Sequence, residues 1–159
     1  MKCSLGLGLS ILVPLGLGLS SGLATQSSVK TWYTSLKKPA FTPPNWIFPV
    51  AWTFLYISMG VCSHIVSEEV GLFSSPMVWY AIQLALNISW TPVFFGLKEP
   101  GWALLIMSGL WASVAKTCFL FFKVSSNAGY GMLPYLVWVT YASALNVAIW
   151  YKNPKTKKE

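Results

Sequence analysis

The chain has 159 residues, 55% of them hydrophobic and only 9% charged, with a formal net charge of +7. Soluble domains carry roughly a quarter charged residues, so this composition excludes an ordinary cytosolic enzyme, a disordered protein and a disulfide-stapled secreted module. It describes an integral membrane protein whose sites lie in the bilayer.

Apolar runs cover residues 3–25, 45–66, 77–97, 101–122 and 131–151. A helical span needs about 20 residues, so five spans leave short loops and no second domain. The expected fold is all-α, a polytopic five-transmembrane-helix bundle forming a single domain over 1–159. The first run follows Lys2 and is longer than a signal-peptide core of roughly 7–15 residues, so it reads as a span. Its Gly18 and Gly22 form a GxxxG, expected to serve close packing within the bundle. Residues 26–44 are polar and contain proline. The later breaks carry Ser67-Glu68-Glu69, Ser74-Ser75-Pro76, Lys98-Glu99-Pro100-Gly101 and Ser125-Ser126-Asn127-Ala128-Gly129.

Loop 26–44 is the longest connection. It holds Trp32-Tyr33, Leu36, Lys38-Pro39 and Phe41-Thr42-Pro43-Pro44-Asn45-Trp46. Consecutive prolines stiffen it, and its aromatics belong at headgroup level. Two readings follow: a lid over the end of the bundle, or an interfacial anchor.

In the third span Gln83, Asn87, Trp90 and Phe94 are spaced 4, 3 and 4 and share one helix face. Amides are costly in hydrocarbon, so this face looks inward. Asn87 then either glues helices together or contacts a ligand. Pro92 is expected to kink the span. Similar stripes are expected inward at Trp52, Tyr56, Met59 and Ser63 in the second span. The fourth offers Trp102, Leu105, Gly109, Ala112 and Lys116. The fifth offers Tyr135, Trp138, Ala142, Leu145 and Ile149. Tryptophan is a poor choice for pure core because its N–H wants a partner.

All eleven basic residues are lysine and all four acids are glutamate. Lys30, Lys37, Lys38, Lys98, Lys152, Lys155, Lys157 and Lys158 fall at one membrane face, and Lys2 and Lys123 at the other. That bias puts loop 26–44 and the C-terminus in the cytosol. Lys116, inside the fourth span, is expected to snorkel. The lysines form no basic face, so no nucleic acid partner is expected. His64 is expected at the interface rather than on a haem. Cys3, Cys62 and Cys118 read as free thiols. No metal site, cofactor or catalytic constellation is recognisable, and no acid lies within a span.

These motifs resemble the translocator protein / tryptophan-rich sensory protein (TspO/MBR) family. The matching pieces include Trp32-Tyr33, Lys38-Pro39, Pro43-Pro44-x-Trp46, Phe48-Pro49-Val50-Ala51-Trp52-Thr53 and Gln83-Leu84-Ala85-Leu86-Asn87. Trp90, Phe94-Phe95-Gly96, Gly101-Trp102-Ala103-Leu104, Pro134-Tyr135, Trp138 and Leu145-Asn146 complete the series. The resemblance implies five transmembrane helices, usually in homodimers, with a ligand cavity opening under the first loop. The implied pocket is Trp52, Asn87, Trp90, Trp102, Trp138, Ala142 and Leu145, to which the stripes add Tyr56 and Phe94. The implied lid is Trp32, Pro43, Pro44 and Trp46.

By the same resemblance, the ligand is a hydrophobic planar molecule, a porphyrin or haem-type tetrapyrrole, with cholesterol a further possibility. Its binding would serve transport, sensing or regulation. Light-dependent porphyrin breakdown, with Trp32 and Trp138 as the residues concerned, is an alternative, as is a scaffold with an incidental pocket. The membrane would be a mitochondrial outer membrane or a bacterial envelope. Val147, Tyr151 and Lys155 fit only the loose form of a sterol pattern, which is too weak to imply sterol binding.

Overall fold

The computed structural model describes residues 2–154, with side chains from residue 6. The sterol pattern's Lys155 and the tail lysines Lys157 and Lys158 lie outside these residues, as does the side chain of Cys3. The described chain forms helices α1 (Lys2–Lys30), α2 (Trp32–Ser35), α3 (Ile47–Val70) and α4 (Ser75–Thr91). A π-helical turn, Pro92–Gly96, extends α4, and α5 (Pro100–Val124) and α6 (Ser126–Lys152) follow. Among the described residues four helices are long and apolar enough to cross a membrane as unbroken helices. The remaining span is α4 with its π-turn. The protein is an all-helical, multi-pass membrane bundle.

Helices dominate because lipid offers no partner for backbone N–H and C=O groups. Packing runs in a ring. α1 lies against α3, α3 against α6, α6 against α5, α5 against α4, and α4 back against α1. Glycine sets the closest of these approaches. A Cβ on Gly60 of α3 would stand 2.6 Å from the Ser10 carbonyl oxygen of α1. A Cβ on Gly18 would collide with the Tyr56 ring, whereas Gly22 faces open space. The GxxxG is therefore half used, and its used half packs within the chain.

Two boundaries differ from the sequence reading. The first span continues to Lys30, so the first loop covers 31–46 rather than 26–44. Ser and Thr can turn their hydroxyls back onto helix carbonyls. Thr25 donates to Ser21 and Thr31 to Ser27, and no proline intervenes before Pro39. At the other end of the bundle, the expected loop 123–130 shrinks to Ser125 alone. Gly129 makes this possible, because the Phe122 ring occupies the space a side chain there would need.

Pro92 acts differently from a simple kink. It has no N–H for the Ile88 carbonyl. The turn widens instead, and the Leu97 N–H donates to the Pro92 carbonyl, five residues back, at 2.9 Å. The segment then reverses through Lys98, which adopts a left-handed φ of 58°.

The inward stripes of the second, third and fifth spans are placed as expected. The fourth is not. Trp102 and Leu105 are 62% and 65% exposed, and Gly109, Ala112 and Lys116 lie on the same outer face. The buried face of α5 is Ala103, Met107, Leu110, Val114, Thr117 and Phe121. Lipid is as apolar as a protein core, so hydrophobic spacing alone does not tell the two faces apart. His64, near the end of α3, is likewise buried and packed toward Gly6 of α1.

Candidate functional site

The site is built at the end of the bundle that carries the first loop. Its deepest layer is a polar ladder joining three helices. Tyr56 Oη donates to Asn87 Oδ1 at 2.7 Å, and Asn87 Nδ2 donates to Tyr135 Oη at 2.9 Å. Tyr135 Oη in turn donates to Gln83 Oε1 at 2.8 Å. Gln83, Asn87, Tyr56 and Tyr135 are all buried. One helical turn separates Gln83 from Asn87, so α4 presents both amides to the same neighbours. The ladder ends at Gln83 Nε2, which has no partner among the described residues.

Above the ladder stands an aromatic box. Trp52 stacks on Tyr56 with centroids 5.6 Å apart, and meets the edges of Tyr135 and Trp138 at 6.2 and 6.4 Å. Phe48 and Tyr141 flank Trp138 at 6.1 and 5.5 Å. Ala142, small and one turn beyond Trp138, packs against this same core. The indole N–H of Trp138 is buried and has no hydrogen-bond partner among the described residues. Burying such a donor unpaired costs about 1–3 kcal/mol.

A second cluster lies directly under the first loop. Trp90 stacks on Phe94 at 4.9 Å, and Trp32 meets Phe94 edge-on at 5.7 Å. Tyr33 contacts Phe94 and Phe95 at 6.3 and 5.5 Å, which the wider π-turn permits by bringing both adjacent rings to one side. Leu145 and Ile149 of α6 close the cluster from beneath. Here the indole is satisfied. Trp90 Nε1 donates to Asn146 Oδ1 at 3.0 Å, and Asn146 Nδ2 donates to the Pro100 carbonyl at 2.9 Å. Burial pushes the Tyr33 hydroxyl up to about 12, and Tyr141 adds to the rise.

The loop is tied to the last helix at two points, and a third contact braces it internally. The Lys37 N–H donates to Asn153 Oδ1 and Asn153 Nδ2 donates back to the Lys37 carbonyl, both at 2.9 Å. Tyr141 Oη donates to the Phe41 carbonyl at 2.7 Å. Lys38 Nζ sits 4.7 Å above the Tyr33 ring, a cation–π contact. Beside the loop, an open groove of about 720 Å³ runs along the outer face of α6. Pro43, Tyr130, Pro134, Val137, Trp138 and Tyr141 line it. Trp138 thus borders both the groove and the box.

Of the residues singled out in the sequence, the structure gathers Trp52, Tyr56, Asn87, Trp138 and Ala142 into one cluster. It gathers Trp32, Trp90, Phe94 and Leu145 into the other. Trp102 stands apart on the outer face of α5. In the loop, Pro43 lines the groove, Pro44 is exposed, and Trp46 is 66% exposed. Sequence reasoning gave no site role to Tyr135, Gln83, Tyr33, Phe48, Tyr141, Asn146 or Asn153. The polar spacing of α4 and the stripe of α6 did contain the first two. Nothing local marks Asn153, whose partner lies 116 residues earlier. Among the described residues no group of His, Cys, Asp and Glu is arranged to hold a metal ion.

Comparison with known proteins gives a consistent result. The model of the TspO/MBR family matches residues 10–151. Protein CrtK of Rhodobacter capsulatus is 46% identical over 129 residues, covering 79% of this chain and 81% of the relative. Tryptophan-rich protein TspO of Archaeoglobus fulgidus is 40% identical, covering 91% and 94%. The translocator protein of Bos taurus is 38% identical, covering 92% and 88%.

Proposed function

Since the chain belongs to the TspO/MBR family, we propose that it is a membrane receptor or translocator for a hydrophobic planar ligand, a porphyrin or haem-type tetrapyrrole. The observation that carries this reading is Trp138. Among the described residues its buried N–H lacks an acceptor, inside a box of five other aromatic rings. A flat conjugated ligand with a carbonyl or carboxylate edge supplies both the stacking surface and the acceptor. The amide–phenol ladder holds Tyr56 and Tyr135 in place as the floor of the box. The first loop acts as a lid, and the lysine bias puts it on the cytosolic side.

Protoporphyrin IX quenching of tryptophan fluorescence tests the reading. Wild type should quench saturably. Trp138→Phe keeps a ring but loses the donor, so its Kd should rise roughly two- to tenfold, the worth of one hydrogen bond. Absence of saturable quenching, or an unchanged Kd in a folded Trp138→Phe protein, overturns the reading. The same samples under illumination separate binding from photodegradation. An intact porphyrin absorbance spectrum supports a carrier or sensor, whereas breakdown that vanishes in Trp138→Phe supports an enzyme.

A further inference from the structure

The lysine bias of the sequence has exceptions, and two of them meet at one place. Lys116 lies on the outer face of α5, about 12 Å below the end of that helix, and its Nζ is 5.7 Å from the centre of the Phe119 ring. Lys123, two turns further on, brings its Nζ to 4.6 Å from the same ring. Lys116 therefore reaches up and Lys123 reaches back, so both ammoniums converge on one exposed phenyl group. Among the described residues no ion pair joins either lysine to a carboxylate. Glu68 and Glu69, the acids at this end of the bundle, belong to the end of α3.

The depth of this pair is marked by its neighbours. Phe122 and Tyr130 pack edge to face at 5.0 Å, and Tyr130 is 65% exposed. Exposed aromatics at a helix end sit at the membrane–water boundary. Lys123 thus lies at headgroup depth, and Lys116 reaches up toward it along the helix, so both ammoniums face the level of lipid phosphates. Below Lys116 the same face of α5 continues through Ala112 and Gly109 to Leu105. A Cβ on Gly109 would touch only Leu86 Cδ1, at 3.6 Å. The small side chains leave a shallow apolar track leading away from the charges and into the hydrocarbon.

We infer that Lys116, Phe119 and Lys123 form a binding site for an anionic phospholipid at the bundle end opposite the first loop. The phosphate bridges the two ammoniums, and an acyl chain lies along Ala112, Gly109 and Leu105. The track selects a lipid over free phosphate, because inorganic phosphate has nothing to place there.

The test uses the full chain reconstituted into bilayers of phosphatidylglycerol and phosphatidylcholine, then extracted in mild detergent for native mass spectrometry. A lysine near the membrane surface favours an anionic lipid by about fivefold. Wild type should retain one phosphatidylglycerol in clear excess over phosphatidylcholine. Lys116→Gln with Lys123→Gln should lose that excess. Lys152→Gln, at the other end of the bundle, should keep it. The inference fails if wild type shows no preference, if the double variant retains the lipid as wild type does, or if Lys152→Gln loses it equally. The wild-type measurement stands even where the double variant does not fold.

Discussion

The two aromatic clusters at the loop end use the same residue types and treat their tryptophans in opposite ways. Under the loop, Trp90 stacks on Phe94 and its N–H is taken by Asn146. In the box, Trp138 is equally surrounded by rings, yet among the described residues its N–H has no acceptor. The first arrangement is complete as it stands and reads as structural. The second has a polar requirement that the described residues do not meet. Hydrogen-bond accounting therefore distinguishes the two clusters where burial and aromatic content do not.

That contrast is sharpened by breaking each side. Phe94→Ala removes the ring on which Trp32, Tyr33 and Trp90 all rest, and should cost about 3–5 kcal/mol of stability. Thermal unfolding in detergent measures it. A loss below about 1 kcal/mol, the scale of minor core changes, would show that the cluster is not the structural element. Tyr135→Phe takes out the hydroxyl that links Asn87 to Gln83 and leaves their buried amide groups short of a partner. The expected cost is about 1–3 kcal/mol. Porphyrin affinity should fall as well, since the floor of the box is loosened. Unchanged affinity in this variant would separate the ladder from ligand binding.

Asn153→Ala removes one of the loop's two ties to the last helix. Each lost hydrogen bond contributes about 0.5–1.5 kcal/mol, less here because the site is exposed. Hydrogen exchange at the Lys37 amide should accelerate while exchange in the helices stays the same. The smallest effect concerns pH. The Tyr33 hydroxyl rises from 10.0 to about 12 in the folded chain. The unfolded chain thus releases this proton first, and stability falls as pH rises from 10 to 12. Tyr33→Phe should lack this part of the alkaline loss. An identical alkaline profile in both proteins would show that Tyr33 is not held neutral by burial.

Much of the fold is legible in the sequence because a bilayer imposes length on every span. The runs at 101–122 and 131–151 are found within a few residues of α5 and the body of α6. The misplacements have local causes. α1 runs on through a polar stretch that holds no proline before Pro39, and Phe122 covers Gly129 so that a loop collapses to one residue. The π-turn is not legible, because Pro92 announces a disruption without saying how the backbone will absorb it.

The candidate site divides in the same way. The face of Gln83, Asn87, Trp90 and Phe94 is readable because amides in hydrocarbon must turn inward. The face of α5 is not, since Trp102 and Leu105 suit lipid as well as core. Partners that meet only in three dimensions, such as Trp90 with Asn146, leave no spacing to read.

The paired hydrogen bonds between Lys37 and Asn153 also bear on biogenesis. Residues of the first loop emerge from the ribosome early, but their fastening point is 116 residues later. The first four spans can supply the contacts of Trp32 and Tyr33 with Phe94 and Phe95, but not this tie. Only when the last helix has been made is Asn153 available, so this tie cannot form before the chain is nearly complete.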